Sequence, residues 1–290
     1  MAKKTGALEG KVAVVTGGGR GLGRSHALLM AQEGAKIIVN DVGVELDGTG
    51  KSHEPADQVV KEIKKAGGEA VANYESVVDF QGAKRIIDCA VDNFGKLDIL
   101  VNNAGFVRDR ILFNMSEEEW DAIIAVHLKG TFACSRWAAA YFREQSKAGK
   151  LQSGRIINTS SHSGLMGNLG QGNYGAAKAG IAALTIIWAQ ELERFKVTCN
   201  AIAPMGRTRM TETNLGPPPT DKGQFDEYAP GNISPVVAYL ASDQAQNITG
   251  RVFSIRGGKL ESFQPWQIGK SIDIGRRWTV KEIGERINAL

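Results

Sequence analysis

Seven short runs of apolar and β-branched residues, with helical patterns between them, constrain this chain more than any other feature. The runs are Val12–Thr16, Lys36–Asp41, Ala70–Tyr74, Ile99–Asn102, Arg155–Thr159, Val197–Ile202 and Val252–Ile255. Their near-continuous apolar character fits strands of a parallel sheet covered on both faces. Helical patterns occupy Gly21–Glu33, Ala56–Ala66, Gly82–Phe94, Glu117–Phe142 and Asn173–Arg194. This alternation predicts a doubly wound α/β fold, with a seven-stranded parallel sheet and helices on both faces. Right-handed crossovers then place a ligand at the carboxyl ends of the strands.

Three stretches break the rhythm. Val42–Pro55 is a glycine- and charge-rich loop, and Met205–Pro230, with Pro217-Pro218-Pro219, reads as a mobile loop. The third is a tail, Ser262–Leu290. Loops of this length are commonly functional or disordered. No repeat or low-complexity linker divides the 290 residues, so one domain is expected, with a core over 8–258 and a tail over 259–290 near the substrate site or an oligomer interface. The net charge of +4 is too small to argue for nucleic acid, and no basic run is interleaved with aromatics. Cys89, Cys134 and Cys199 stand far apart without metal-ligand spacing, so no metal is expected and a reducing compartment is. The start, Met1-Ala2-Lys3-Lys4-Thr5-Gly6, has no signal-peptide core, the chain does not end in the peroxisomal Ser-Lys-Leu, and no run is long and apolar enough to span a bilayer. A cytoplasmic location and no membrane partner follow as expectations.

The first strand runs into Thr16-Gly17-Gly18-Gly19-Arg20-Gly21-Leu22-Gly23. A diphosphate approaching the backbone N–H groups of such a turn needs glycine, and the following helix presents its positive end. The GxGxxG spacing is not matched; Gly17, Gly21 and Gly23 give GxxxGxG. A glycine-rich turn alone also fits a plain strand–helix connection, but five glycines in seven residues after the first strand argue against that. Asp41 closes the second strand. An acid there bonds adenosine ribose hydroxyls and repels a 2′-phosphate, favouring NAD over NADP. The alternative is a carboxylate that merely caps a strand end. Arg20 is the opposing signal, since a guanidinium in the turn suits a 2′-phosphate.

Tyr174 and Lys178 lie four residues apart, on one face of a helix. A lysine ammonium beside a phenol stabilises phenolate and is expected to lower its pKa, so that Tyr174 exchanges a proton with a substrate oxygen near neutral pH. Such a pair arises easily by chance, and its position supplies the specificity. Thirteen residues earlier the fifth strand ends in Thr159-Ser160-Ser161. Ser161 Oγ is placed to bond a reacting oxygen, or, as serines in turns often do, local backbone.

Taken together, Thr16-Gly17-x-x-x-Gly21-x-Gly23, Asn102-Asn103-Ala104-Gly105, Ser161 and Tyr174-x-x-x-Lys178 resemble the short-chain dehydrogenase/reductase family over residues 8 to 258. The resemblance implies a Rossmann fold that moves hydride between a nicotinamide and an alcohol or ketone carbon. It implies Tyr174 as acid/base, Lys178 also on the nicotinamide ribose, and Ser161 on the substrate oxygen. The cofactor set becomes Gly17, Arg20, Gly21, Leu22, Gly23, Asp41, Ser76, Val77, Asn103, Ala104, Gly105, Tyr174, Lys178 and Pro204. One position departs: Val126-His127-Leu128-Lys129-Gly130 places His127 where the family carries asparagine. That residue's carbonyl holds a relay water in the family, so His127 either acts through its carbonyl or only packs.

Val39-Asn40-Asp41-Val42-Gly43, Arg108-Asp109-Arg110 and Gly167-Asn168-Leu169-Gly170-Gln171 are similar to (3R)-hydroxyacyl-CoA dehydrogenase units of type-2 multifunctional enzymes, and the tail to bacterial stand-alone relatives. The resemblance implies an NAD-dependent enzyme of lipid metabolism taking 3-hydroxyacyl-CoA to 3-ketoacyl-CoA, working as a homodimer or homotetramer. A hydroxysteroid or other secondary-alcohol dehydrogenase, an NADPH-dependent ketoacyl reductase and a catalytically inactive nucleotide-binding protein are the alternatives. Arg207 and Arg209 in the loop, with Arg276 and Arg277 in the tail, are expected to meet the phosphates of CoA.

Overall fold

The computed structural model describes residues 6–45, 48–221 and 223–290. The N-terminal residues 1–5, two positions of the Val42–Pro55 loop and one of Met205–Pro230 lie outside the described residues. Seven parallel strands form in the order β3-β2-β1-β4-β5-β6-β7: β1 (Val12–Thr16), β2 (Lys36–Asn40), β3 (Ala70–Asn73), β4 (Ile99–Asn102), β5 (Gly154–Thr159), β6 (Val197–Pro204) and β7 (Val252–Arg256). Side chains of β1 divide by the two-residue period of a strand. Ala13 and Val15 join Ala27 and Met30 of α1 (Gly21–Gln32) and Val59 and Ile63 of α2 (Glu54–Lys65) in one core. Val12 and Val14 join Ile86 and Ile87 of α3 (Phe80–Phe94) in the other. Both faces are therefore covered, and the chain is an α/β Rossmann-type structure.

An eighth strand corrects the expected count. β8 (Lys259–Phe263) pairs antiparallel with β7, its Lys259 opposite Arg256. The two-residue turn Gly257-Gly258 makes this possible, with Gly257 at φ +53°. The tail therefore begins as part of the sheet. The single helix expected over Glu117–Phe142 also differs. It runs as α4 (Glu117–Ile123), a π-helical turn over Ile124–Lys129 and α5 (Gly130–Lys147), so His127 sits in the widened turn. The remaining helices are α6 (His162–Met166), α7 (Gly172–Leu192), α8 (Glu212–Leu215), α9 (Ser234–Ala241) and α10 (Val280–Arg286). The uniformly apolar α9, eight residues long, packs beside α1 and lacks the periodicity that would have marked it.

The order of strands reverses at β1, which lies between β2 and β4. Loops leaving β1 and β4 part there, opening a crevice at the carboxyl edge.

Candidate active site

A cavity of about 660 Å³ occupies that crevice. At the β1 end its wall is backbone. Gly17 and Gly21 have φ of +61° and +53°, values that side chains rarely adopt. A Cβ on Gly17 would stand 2.8 Å from Ala104 Cα, and one on Gly23 would stand 2.0 Å from the Gly17 carbonyl oxygen. Gly17, Gly21, Leu22 and Arg20 line the cavity, whereas Gly23 lies behind it and lets α1 close onto the turn. The first turn of α1 has neither a side-chain cap nor an acidic residue. Its N–H groups and positive dipole end suit a diphosphate.

The turn is latched to β4. Thr16 Oγ1 accepts from the backbone N–H groups of Asn103 and Ala104 at 3.0 and 3.2 Å, and Asn103 Nδ2 donates to the carbonyls of Thr16 and Gly17. Asp41 is held from two sides. Its Oδ2 accepts from Gly19 N–H at 2.9 Å and its Oδ1 from Gly43 N–H at 2.7 Å. Arg20, the opposing signal, donates to the Val44 carbonyl at 2.8 Å. Ser76, Val77, Asn103, Ala104, Gly105 and Pro204 also line the cavity. The uncapped helix end, the glycine cradle and the fixed carboxylate fit a dinucleotide.

At the far end of the cavity stand Tyr174 and Lys178 on α7. Asn173, fully buried, sets this end of the helix. Its Nδ2 donates to the carbonyls of Arg108 and Glu119, and its Oδ1 accepts from Tyr174 N–H at 2.7 Å. Lys178 Nζ donates to the Thr159 carbonyl at 2.6 Å, and Ser160 Oγ donates to the Lys178 carbonyl at 2.8 Å. Ser161 does not line the cavity, but it caps α6 and hydrogen-bonds the Tyr174 side chain.

The electrostatics correct one expectation. Burial pushes the Tyr174 phenol above its ordinary value, and only the Ser161 hydrogen bond pulls it down. Burial also brings the Lys178 ammonium down to about 7. Lys178 Nζ is turned to the Thr159 carbonyl and lies 5.4 Å from the Tyr174 ring centre.

His127 is 2% exposed and lines the cavity. Its Nε2 meets both the carbonyl oxygen and the N–H of Phe106, at 2.6 and 3.2 Å. Nδ1 is buried and has no hydrogen-bond partner among the described residues. Burial drops the imidazole to about 3, so the ring is neutral. Its edge meets the Tyr174 ring at 5.1 Å between centres. A Cβ on Gly105 would stand 2.1 Å from His127 Cε1, so this glycine leaves room for the histidine.

Sequence reasoning missed the supports. Asn102 Nδ2 donates to Ser135 Oγ and Asn158 Oδ1, and Asn158 Nδ2 donates to Thr185 Oγ1, a buried polar ladder beneath the strand ends. Apolar residues inside otherwise buried strands and helices set the background against which Asn158 and Thr185 stand out, and that contrast was the available signal. The arginine expectation is corrected in part. Arg207 donates to the Gly216 carbonyl at 2.7 Å and pairs with Asp226 at 2.5 Å, folding the Met205–Pro230 loop on itself. Arg276 pairs with Glu282 within the tail. Arg209 lines the cavity and reaches Glu45 across it at 3.5 Å.

Residues 11–216 match the family model for short chain dehydrogenase. The chain is 44% identical over 280 residues to the hydroxyacyl-CoA dehydrogenase ChsB1 of Mycobacterium tuberculosis, covering 95% of this chain and 87% of that protein. It is 48% identical over 258 residues to peroxisomal multifunctional enzyme type 2 of Drosophila melanogaster, covering 89% of this chain but only 40% of that longer protein. A crystal structure of a short chain dehydrogenase from Mycobacterium avium superposes with a TM-score of 0.89 at 54% identity, covering 98% and 96% of the two chains. Sequence match, strand order and the Tyr174–Lys178 end of the cavity thus agree, and the chain belongs to the short-chain dehydrogenase family of oxidoreductases.

Proposed function

We propose that the protein uses NAD to interconvert a secondary alcohol and a ketone, with a 3-hydroxyacyl-CoA as the alcohol. The observation that carries the reading is one cavity joining an Asp41-terminated nucleotide cradle to Tyr174 and Lys178. Bound there, the nicotinamide supplies the hydride acceptor. The α1 N–H groups and Gly17 and Gly21 take the diphosphate, while Asp41 takes the adenosine ribose hydroxyls and repels a 2′-phosphate. Ser76, Val77, Asn103, Ala104 and Gly105 flank the nucleotide, with Pro204 facing the nicotinamide end.

Tyr174 moves the proton at its Oη. In the ketone-reducing direction a phenol kept protonated by burial is poised to donate to the substrate oxygen. In the alcohol-oxidising direction it must first lose its proton, so oxidation rises with pH. Ser161 Oγ holds the same oxygen and the phenol together. Lys178 holds the nicotinamide ribose, and its ammonium, with a pKa about 7, exchanges protons readily near neutral pH. His127 keeps a neutral ring against Gly105 and leaves its carbonyl within the proton path.

The name of the M. tuberculosis relative supports the acyl-CoA substrate. A steroid alcohol is the second reading, favoured by the internal use of Arg207 and by the apolar Leu22, Phe106, Val126 and Met210 in the wall. We further propose one catalytic domain working as a homo-oligomer in the cytoplasm. The test is the ratio of kcat/KM for a 3-hydroxyacyl-CoA and a steroid alcohol with NAD, at low and high salt. Preference for the thioester that weakens with salt is expected; a steroid preference at both salts selects the second reading.

A further inference from the structure

The residue after Ser161 carries an anchor that the reaction described above does not use. His162 is half-buried, opens α6 and lies outside the cavity lining. Its Nε2 meets Ser254 Oγ of β7 at 3.1 Å, and its ring packs edge-on against Phe263 of β8 with centres 5.3 Å apart. Ser254 is buried, and its Oγ lies 3.5 Å from Glu261 Oε2 on β8. Both strands of the β7–β8 hairpin thus converge on one imidazole.

The helix that His162 opens needs such an anchor. α6 has five residues, little more than one turn, and a helix so short is held in place by what it touches. One side rests on α7. A Cβ on Gly164 would stand 2.4 Å from Ala179 N, and Ser163 Oγ donates to Oε1 of Gln171, at the α7 entry, at 2.6 Å. The other side rests on the hairpin, where Leu165 and Phe263 pack against Ala182, Ala201, Ala203 and Val252. The hairpin is itself braced. Arg256 pairs with Glu227 at 3.0 Å, and a Cβ on Gly257 would stand 2.8 Å from the Glu227 side chain. α6 is therefore clamped between the helix that carries Tyr174 and the hairpin.

Ser161 stands at the joint of this clamp. Its Oγ accepts from Ser163 N–H at 3.2 Å as it caps α6, and the same side chain bonds the Tyr174 phenol. Hydrogen bonds weaken steeply as their angle departs from linear, so a capping hydroxyl on a tilting helix loses its partner. A reacting group keeps its geometry only when the neighbours that orient it are themselves locked.

We propose that His162 is a positioning residue for the reaction: by tying α6 to Ser254 and Phe263 of the hairpin, it holds Ser161 against the Tyr174 phenol. The inference rests on the proton-transfer role given to Tyr174 and Ser161, and its first measurement needs no substrate. The full chain is labelled with carbon-enriched tyrosine for magnetic resonance, and the Tyr174 ring signal is identified as the one missing from Tyr174→Phe. Ser161→Ala sets how far that signal moves when the phenol loses the serine. Ser254→Ala and His162→Leu should move it in the same direction. His162→Gln, whose amide nitrogen reaches the place of Nε2, should restore it. Turnover is then followed with NAD on whichever of a 3-hydroxyacyl-CoA and a steroid alcohol the wild type oxidises. There His162→Leu should lower kcat roughly two- to tenfold, the worth of one hydrogen bond, with KM and NADH affinity unchanged. Added to Ser161→Ala it should cost nothing more, because both changes remove the same contact. A Tyr174 signal indifferent to His162→Leu and Ser254→Ala, an unchanged kcat, or a loss of equal size with and without Ser161 would each overturn the proposal. A signal that moves as expected in a chain oxidising neither alcohol would instead remove the proposed reaction and leave the anchoring of Ser161 standing.

Discussion

The two ends of the cavity are built from different materials. The β1–β4 end is backbone: glycines at positive φ, free helix N–H groups and an aspartate pinned by two amides. The α7 end is side chain: Tyr174, Lys178 and His127, with Ser161 bonded to the phenol from behind the lining. A ligand met by many enzymes in one form is served by geometry that few substitutions can alter. Chemistry and substrate choice sit where side chains and loops are free to change.

The largest effect should come from the side-chain end. Tyr174→Phe removes the proposed proton-transfer group, and turnover should fall by roughly a hundred- to ten-thousand-fold. NADH affinity, read by fluorescence titration, should hold. A variant turning over near the wild-type rate would erase the contrast between the ends.

Acid should expose a difference in stability. Burial drops both His26, on α1, and His127 to about 3 from an ordinary 6.5. The unfolded chain therefore binds more protons between those values, and stability is lost as pH falls from 6.5 toward 3. Each imidazole contributes on the order of several kcal/mol at the acid limit. Urea unfolding across this range should show a falling midpoint, flattened in part by His26→Gln and by His127→Asn. A midpoint that does not move would mean the rings take up protons without unfolding.

A smaller change is expected at the backbone end. Asp41→Ala removes the ribose partner and the repulsion of a 2′-phosphate together. A charge-assisted hydrogen bond contributes about 1.5–3 kcal/mol, so NAD affinity should fall roughly ten- to a hundredfold while NADP binding improves. Calorimetry with both cofactors checks this; unchanged NAD affinity would make Asp41 a loop brace alone. The smallest effect belongs to the loop. Arg207→Ala frees Asp226 and the Gly216 carbonyl, and should raise substrate KM a few-fold with NADH affinity unchanged. A loss of cofactor binding instead would show that the loop serves both ends.

Legibility in the sequence followed the same division. The parallel strands and the glycine turn were readable because burial on both faces and close backbone approach leave compositional marks. The Tyr174–Lys178 spacing was readable because a helix brings fourth neighbours together. β8 was missed although Gly257-Gly258 between two alternating runs marks a tight hairpin. The partners of Arg207 were hidden because Gly216 and Asp226 meet it only through the path of an irregular loop. The pKa directions at Tyr174 and Lys178 were hidden too, since desolvation depends on what surrounds a group and not on its spacing.

The room that Gly105 leaves for His127 carries a consequence for how such a chain could change over generations. Twenty-two positions apart, the two share one volume, with a Cβ at 105 placed 2.1 Å from His127 Cε1. Alanine at 105 should be harmful while histidine remains and tolerable once asparagine has replaced it. The order of the two mutations then decides which route is open: a lineage that enlarges residue 105 first meets a barrier that one shrinking residue 127 first does not. Histidine, once installed, thus adds its own demand for glycine at 105 to the one the cavity already makes there.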